Sequence, residues 1–288
     1  MAANGPGQQL PAGLYFIATP IGAARDITLR ALDILRTADV IAAEDTRSLR
    51  HLMDIHGIAL ADRPLLSYHD HNGERVRPRI LAALAEGRSV AYASEAGTPL
   101  VADPGYQLGA AAIAAGHAVT AAPGPSAVLA ALTVSGLPSD RFLFAGFAPN
   151  AGGQRRRWLE ELSAVPATLI LYESPKRINA LLGDMESVFG KERRIAVCRE
   201  LTKKFEEVTR GAIAEVVAAF AGRTPKGEIV VLVDRARGAA VAVADIEAAL
   251  REALTCKSVK DAAASVAELT GAPKREVYQL ALKLAGGN

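Results

Sequence analysis

Three segments of this chain hold side chains that could do chemistry. Glu44-Asp45-Thr46-Arg47 packs two carboxylates, a hydroxyl and a guanidinium into four consecutive positions. Such a run is either the capped start of a helix with a local ion pair or a polar cluster at the ligand edge of a sheet. Capping accounts for Asp45 and leaves Glu44 unexplained. His69-Asp70-His71 offers three metal-ligand types, but strand alternation would put both imidazoles on one face and the carboxylate on the other, so a polar strand end suits it better. The stretch Lys191 to Arg210 mixes Arg193, Arg194, Arg199, Lys203 and Lys204 with Glu192, Glu200, Glu206 and Glu207. A further basic triplet, Arg155-Arg156-Arg157, stands beside the only tryptophan, Trp158. Each basic cluster reads as solvated charge or as a phosphate site, and Trp158 as a base-stacking residue or part of a core.

Four segments dense in Gly and Pro follow apolar runs or lie close behind them: Thr19-Pro20-Ile21-Gly22, Ala96-Gly97-Thr98-Pro99, Asp103-Pro104-Gly105 and Pro123-Gly124-Pro125-Ser126. In an open α/β sheet the ligand crevice lies at the carboxyl ends of the strands, where such loops converge and glycine lets a backbone approach a ligand. One such loop is ordinary turn punctuation; four in half a chain point to a binding edge. Ser126 suits either a helix cap or a hydroxyl facing a ligand. No GxGxxG fingerprint and no GxxxxGK[ST] phosphate loop occurs, and Ser94-Glu95-Ala96-Gly97 matches a GxSxG elbow only in part.

These residues need elements to hold them. Leu14–Ala18, Val40–Ala43, Leu65–His69, Val90–Ala93 and Val119–Ala121 are apolar runs of strand length separated by segments of helical period, which predicts βα alternation and a mostly parallel sheet. Asp26 and Asp45 are expected N-caps. The turn-forming Pro149 to Gly153 marks a domain boundary, giving an arm over residues 1–13 and an α/β domain over 14–149 that holds the ligand cleft. A second, more hairpin-like α/β domain over 150–237 restarts at Thr168–Tyr172. Residues 238–288 read as a helical module, either a helix-turn-helix or a helical hairpin packed on the second domain.

The chain has 288 residues, half of them apolar and 22% charged, and this excludes a disordered or collagen-like protein. A net charge of +2 rules out nucleic-acid binding by average surface charge, leaving local clusters to do it. Two cysteines, Cys198 and Cys256, with no CxxC spacing fit a reducing compartment. The expected location is the cytoplasm, since no basic residue precedes Arg25 and no apolar run reaches the length of a membrane span.

The runs Tyr15-Phe16-Ile17-Ala18-Thr19-Pro20-Ile21-Gly22, Asp26 to Leu32 and Ala43-Glu44-Asp45-Thr46-Arg47 resemble the ribosomal RNA small subunit methyltransferase I family, of the tetrapyrrole-methylase superfamily. The likeness continues through His69 to Asn72, Ala96 to Pro99, Asp103 to Tyr106, Pro123 to Ala127 and Ser135 to Pro138. It resumes at Tyr172-Glu173-Ser174-Pro175, Arg199 to Glu206 and Lys226-Gly227-Glu228, covering nearly everything from Leu14 to Asp234. The resemblance implies two α/β domains of the tetrapyrrole-methylase type, a class III methyltransferase, with S-adenosylmethionine bound between them. It also implies a homodimer that methylates the ribose 2′-hydroxyl of a cytidine in the decoding region of 16S ribosomal RNA.

Carried over motif by motif, Pro20, Ala96, Gly97, Thr98, Ser126 and Ala127 fall in the N-terminal donor-binding loops, with Tyr172, Leu201, Lys226 and Gly227 in the C-terminal half. This chain departs from the family twice, with Ala23 in place of Asn and Glu95 in place of Asp. An activated sulfonium methyl requires no metal or redox group; it requires alignment of the attacking oxygen, and a base or a cation at the developing alkoxide. Asp45, Glu200 and Lys203 are the candidates because their motifs border the implied cleft, an internal ion-pair network being the alternative. Arg155, Arg156, Arg157, Lys204 and the C-terminal helices are the candidates for holding RNA. The competing readings are a corrinoid-pathway C-methyltransferase and a non-catalytic RNA-binding protein.

Overall fold

The computed structural model describes residues 9–102, 105–236, 243–270 and 272–285. The first sheet contains β1 (Gly13–Ile17), β2 (Val40–Ala43), β3 (Leu65–Ser67), β4 (Ser89–Ala93) and β5 (Val119–Ala122), all parallel, in the order β3-β2-β4-β1-β5. Between them run α1 (Leu29–Thr37), α2 (Thr46–Ile55), α3 (Gly73–Ala85) and α4 (Tyr106–Ala114). Helices cover both faces, so β1, β2 and β4 are buried throughout and read as unbroken apolar runs. Alternate residues go to opposite cores: Tyr15, Ile17, Ile41 and Ala93 pack with α1 and α2, while Leu14, Phe16, Val40 and Tyr92 pack with α3 and α4.

Several sequence expectations shift locally. Asp26 lies in a short 3-10 turn, and α1 is capped by Thr28, whose Oγ1 accepts the Ala31 amide at 3.2 Å. Asp45 caps α2 as expected. β3 stops at Ser67, so His69 to His71 lie in a turn rather than on a strand; Asn72 closes it, accepting the His69 amide at 3.0 Å and donating to the Ser67 carbonyl at 3.1 Å. Of the expected arm, residues 1–8 lie outside the described residues. Leu10 packs against the first core and the Pro11 carbonyl accepts the Tyr15 hydroxyl.

After β5 the chain runs through α5 (Ala127–Ser135) and changes sheets. The second sheet has the order β6-β7-β10-β8-β9, built from β6 (Phe142–Phe147), β7 (Thr168–Glu173), β8 (Arg194–Arg199), β9 (Glu207–Ala212) and β10 (Ile229–Val233). Only β6 and β7 are parallel; the other pairs are antiparallel, in keeping with the expected hairpin character. One face carries α6 (Gly152–Leu162), α7 (Ile178–Phe189) and α8 (Ile213–Phe220) over Leu169, Leu171, Ile195 and Val231. The other face is covered by α5, whose Val128, Ala131 and Leu132 meet Ile170, Ala196, Cys198 and Val230. Burial there pushes the Cys198 thiol up to about 12, so it stays protonated and inert at neutral pH. β6, which a boundary at residue 150 would leave with the first half, is hydrogen-bonded into the second sheet.

A third body, α9 (Val243–Ala253), α10 (Val259–Thr270) and α11 (Lys274–Ala285), closes around Leu250, Ala263, Val266, Val277 and Ala281. Ser258 starts α10 by exchanging hydrogen bonds with Asp261. No helix among the described residues is long and apolar enough to cross a membrane.

Candidate functional site: a cleft between the two sheets

Three loops at the carboxyl edge of the first sheet are tied to one another. Thr19 and Gly97 exchange two backbone hydrogen bonds at 3.0 Å, and the Ser94 hydroxyl donates to the Gly97 carbonyl at 2.7 Å. Thr98 Oγ1 donates to the Pro125 carbonyl at 2.8 Å, joining the loop after β4 to the one after β5. Gly97 has φ +83°, and a Cβ there would press on Ile21 at 3.3 Å. A side chain there would strain the left-handed turn and crowd Ile21.

Across from these loops stands the segment after β8. Glu200 and Thr202 have φ +52° and +64°, a left-handed backbone that non-glycine residues adopt at a cost of order 1–3 kcal/mol each. This turn aims Lys203 back at the cleft, where Nζ donates to Glu200 Oε1 at 2.9 Å and to Glu228 Oε2 at 3.0 Å. Burial opposes the Lys203 charge, but the two carboxylates outweigh it and its pKa lies above the ordinary lysine value. The hydrogen bond from Lys203, then the Glu228 amide, holds Glu200 below the usual carboxylate range. Gly227, at φ +90°, leaves room for this arrangement, since a Cβ there would overlap the Glu200 carboxylate. The two halves are stapled where the Ala23 amide donates to Thr202 Oγ1 at 3.1 Å and where Ile21 and Leu201 enter one core.

Between them lies a cleft of about 610 Å3, within the range of small-molecule sites. Of the expected residues, Pro20, Ala96, Ala127, Tyr172, Lys203 and Gly227 line it. Gly97, Thr98 and Glu200 brace the lining, and Leu201 is buried behind it. Ser126 stands at the N-cap position of α5, but its side chain makes no capping hydrogen bond. Lys226 is exposed and gives its carbonyl to Arg199 at 3.2 Å. Asp45 serves as a cap: its Oδ1 accepts the amides of Arg47 at 2.7 Å and Ser48 at 3.4 Å. A second cavity, about 530 Å3, opens at the other end of the second sheet beside Ser163 and Asp234; Arg193 and Arg194 of the basic cluster line it, and none of the expected donor-binding or catalytic residues does.

Residues that sequence reasoning did not single out also form the walls: Ser48, Val101, Ala102, Phe147, Glu173 and Glu228. Phe147 ends β6 and pairs in register with Tyr172, their rings 5.5 Å apart, a parallel pairing that only the structure shows. Glu173 is buried; its Oε1 accepts from the Ser174 amide at 2.7 Å and from Arg177, while Oε2 is buried without a partner among the described residues. Glu95 also lines the cleft, and burial first, then Glu44, Asp45 and Glu228, raises its pKa. No three or more described His, Cys, Asp or Glu residues are grouped to hold a metal ion.

The basic triplet is split by its helix. Arg155 is buried, with Nε and Nη2 on Asp184 Oδ2 at 2.7 and 2.6 Å and Nη1 on the Asn150 carbonyl at 3.2 Å. Its guanidinium holds α6 to α7 and does not reach solvent phosphates. Arg156 shares Asp184 at 3.1 Å from an exposed position, and Arg157 and Lys204 are exposed. Trp158 packs against the second core rather than offering a stacking face.

Residues 13–217 match the Tetrapyrrole (Corrin/Porphyrin) Methylases family, and residues 240–285 match the RsmI C-terminal HTH domain. The uroporphyrin-III-C-methyltransferase of Thermus thermophilus shares the fold at a TM-score of 0.55 and 22% identity, over 78% of this chain and 95% of that one. The ribosomal RNA small subunit methyltransferase I of Mesorhizobium japonicum is 50% identical over 97% of this chain and 94% of its own length. That of Xylella fastidiosa is 46% identical over 93% and 98%. Fold and cleft therefore define a protein of the tetrapyrrole-methylase class, and the chain belongs to the ribosomal RNA small subunit methyltransferase I family within it.

Proposed function

We propose that this protein transfers a methyl group from S-adenosylmethionine to the ribose 2′-hydroxyl of a cytidine in the decoding region of 16S ribosomal RNA. The observation that carries this reading is the near-full-length identity to relatives named for small-subunit RNA methylation, together with a cleft formed by the motifs they share. Two features of the walls suit the donor. Pro20, Ala96, Ala127 and Val230 offer small or apolar surface for an adenosyl group, and the buried, unpartnered Glu173 Oε2 is an open acceptor for a hydrogen-bond donor. When bound, the donor supplies a methyl group already activated on sulfur.

The remaining task falls to the chain's own residues. The tied loops at Thr19, Gly97 and Pro125 make a rigid floor, which holds reacting groups at near-attack distance without reorganisation. Lys203, charged and fixed between Glu200 and Glu228, brings a positive charge to the cleft where an alkoxide develops. Nothing in this scheme calls for a metal. Arg157, Lys204 and the helical module supply the RNA-facing cations, Arg156 adds part of its charge, and Arg155 serves the fold.

We assign the functional division to Pro123–Ser126, where the chain leaves the first sheet for α5. The edge strands and the helices beside them expose Tyr106, Ile113, Phe142 and Phe147, apolar area that suits pairing of two copies. A cytoplasmic location follows from the substrate. The test is incubation with labelled donor and purified small subunits lacking the modification, followed by nucleoside analysis. Label in 2′-O-methylcytidine is the expected result; transfer to a tetrapyrrole carbon and none to RNA would overturn the reading.

A further inference from the structure

The carboxylates in and around the cleft are almost all engaged. Glu44 Oε2 accepts the Glu95 amide at 3.0 Å, and Asp45 caps α2. Glu173 is paired with Arg177, Glu200 and Glu228 share Lys203, and Glu206 accepts the Thr202 amide at 2.6 Å. Glu95 differs: it lines the cleft from the loop after β4, exposed, and its side chain has no hydrogen-bond or ion-pair partner among the described residues. Glu44 holds the Glu95 backbone amide at the rim of the cleft, and the carboxylate oxygens stay free.

Resting on the proposed RNA 2′-O-methylation, we infer that Glu95 is the general base that takes the proton from the attacking ribose hydroxyl. As the oxygen–methyl bond forms, the methyl–sulfur bond breaks with its electron pair going to sulfur. The hydroxyl proton passes to the Glu95 carboxylate and then to water at the open mouth of the cleft. A base works best with a pKa near the working pH. The surroundings of Glu95 push it that way: partial burial of the carboxyl first, then repulsion from Glu44 and Asp45 at the start of α2 and Glu228 before β10, with Arg47 opposing them. Lys203, across the cleft, is held by its own two carboxylates and supplies positive charge as Glu95 takes the hydroxyl proton. The division of labour is base on the first sheet, cation on the second.

The test compares wild type, Glu95→Gln and Glu95→Asp on unmodified small subunits, reading kcat against pH and donor affinity by calorimetry. Glu95→Gln is expected to lower kcat by about 100-fold or more, the usual size of a general-base effect. It should leave donor affinity within about twofold and abolish the acid limb of the wild-type profile; Glu95→Asp is expected to restore part of the rate with a displaced limb. A Glu95→Gln enzyme with wild-type kcat and profile would overturn the assignment. So would one that loses donor affinity in step with kcat, which would make Glu95 a binding or structural group. Absence of transfer by the wild type would overturn the proposed function, and this role with it, and is read without any variant.

Discussion

Asp45 illustrates how a candidate residue is reassigned by its hydrogen bonds. With its Oδ1 on two backbone amides of α2, its carboxylate is occupied by the helix start. Asp45→Asn, which keeps capping ability, is expected to hold stability within a few tenths of a kcal/mol, whereas Asp45→Ala should cost about 1 kcal/mol in urea titrations. Because Asp45 is one of the charges repelling Glu95, the Asn variant should also move the acid limb of turnover to lower pH while keeping its height. Carboxylates in this fold carry opposite pH signatures. Ser89, by a side-chain and then a backbone hydrogen bond, holds Asp39 low, and Lys203 holds Glu200 low. Their stabilisation is complete above the unfolded carboxylate range and is lost as pH falls through their folded values. Glu95 is raised, so its contribution is fullest in acid and is lost as pH rises through its folded value. Glu95→Gln should therefore raise the urea midpoint at neutral pH, and an unchanged midpoint would contradict the raised pKa. Pro20, Ala96, Ala127, Tyr172 and Gly227 were legible at this scale because motif and strand end coincide. Glu173 and Glu228 stand inside quoted motifs, yet the motif does not show that Glu173 keeps one oxygen free beside its local partners Ser174 and Arg177, and Glu228 meets Lys203 from 25 residues away.

At the scale of elements, the turns around the cleft are held by left-handed backbone and cross-loop hydrogen bonds. Gly227→Ala would force a Cβ into the Glu200 carboxylate from a left-handed backbone. The expected outcome is a loss of about 1–3 kcal/mol in stability and weakened donor binding, checked by thermal unfolding and calorimetry. The arginine triplet gives a contrast within one helix. Arg155→Ala should cost about 1–3 kcal/mol, because it leaves Asp184 Oδ2 unsatisfied and the buried carboxylate with Arg156 alone. Arg157→Ala should leave stability alone and reduce the slope of log affinity against log salt by roughly 0.7 if its phosphate contact is to single-stranded RNA. Helical period marks the segments between the strands in the sequence, but not where each helix begins and ends. Thr28 outcompetes Asp26 as the cap of α1, since Asp26 is drawn into the preceding 3-10 turn. Strand-like Tyr68 and His69 leave the sheet because Asn72 closes a turn around them. Nothing in a triplet of arginines announces that one of them faces inward; that is decided by Asp184, 29 residues away.

Across the whole molecule, α5 and β6 decide how the parts belong together. The turn-rich Pro149 to Gly153 looked like a boundary, yet the chain crosses earlier: α5 covers the second sheet and β6 forms its edge. α5 is apolar over nearly its whole surface, so its pattern shows that it is buried without showing against what. The α/β class, the parallel first sheet and the hairpin-like second sheet were legible because strand composition records burial on one face or two. This crossover makes the cleft a joint property of both sheets, so its reactivity is blocked most directly at the wall between them. The decisive measurement is labelled-methyl transfer to unmodified small subunits by wild type and by Ala96→Trp, which fills the cleft from an exposed loop position. The wild type is expected to yield 2′-O-methylcytidine, and the variant, with an unchanged unfolding temperature, none. Equal transfer by the two proteins, or label in any other nucleoside, would contradict the proposed function.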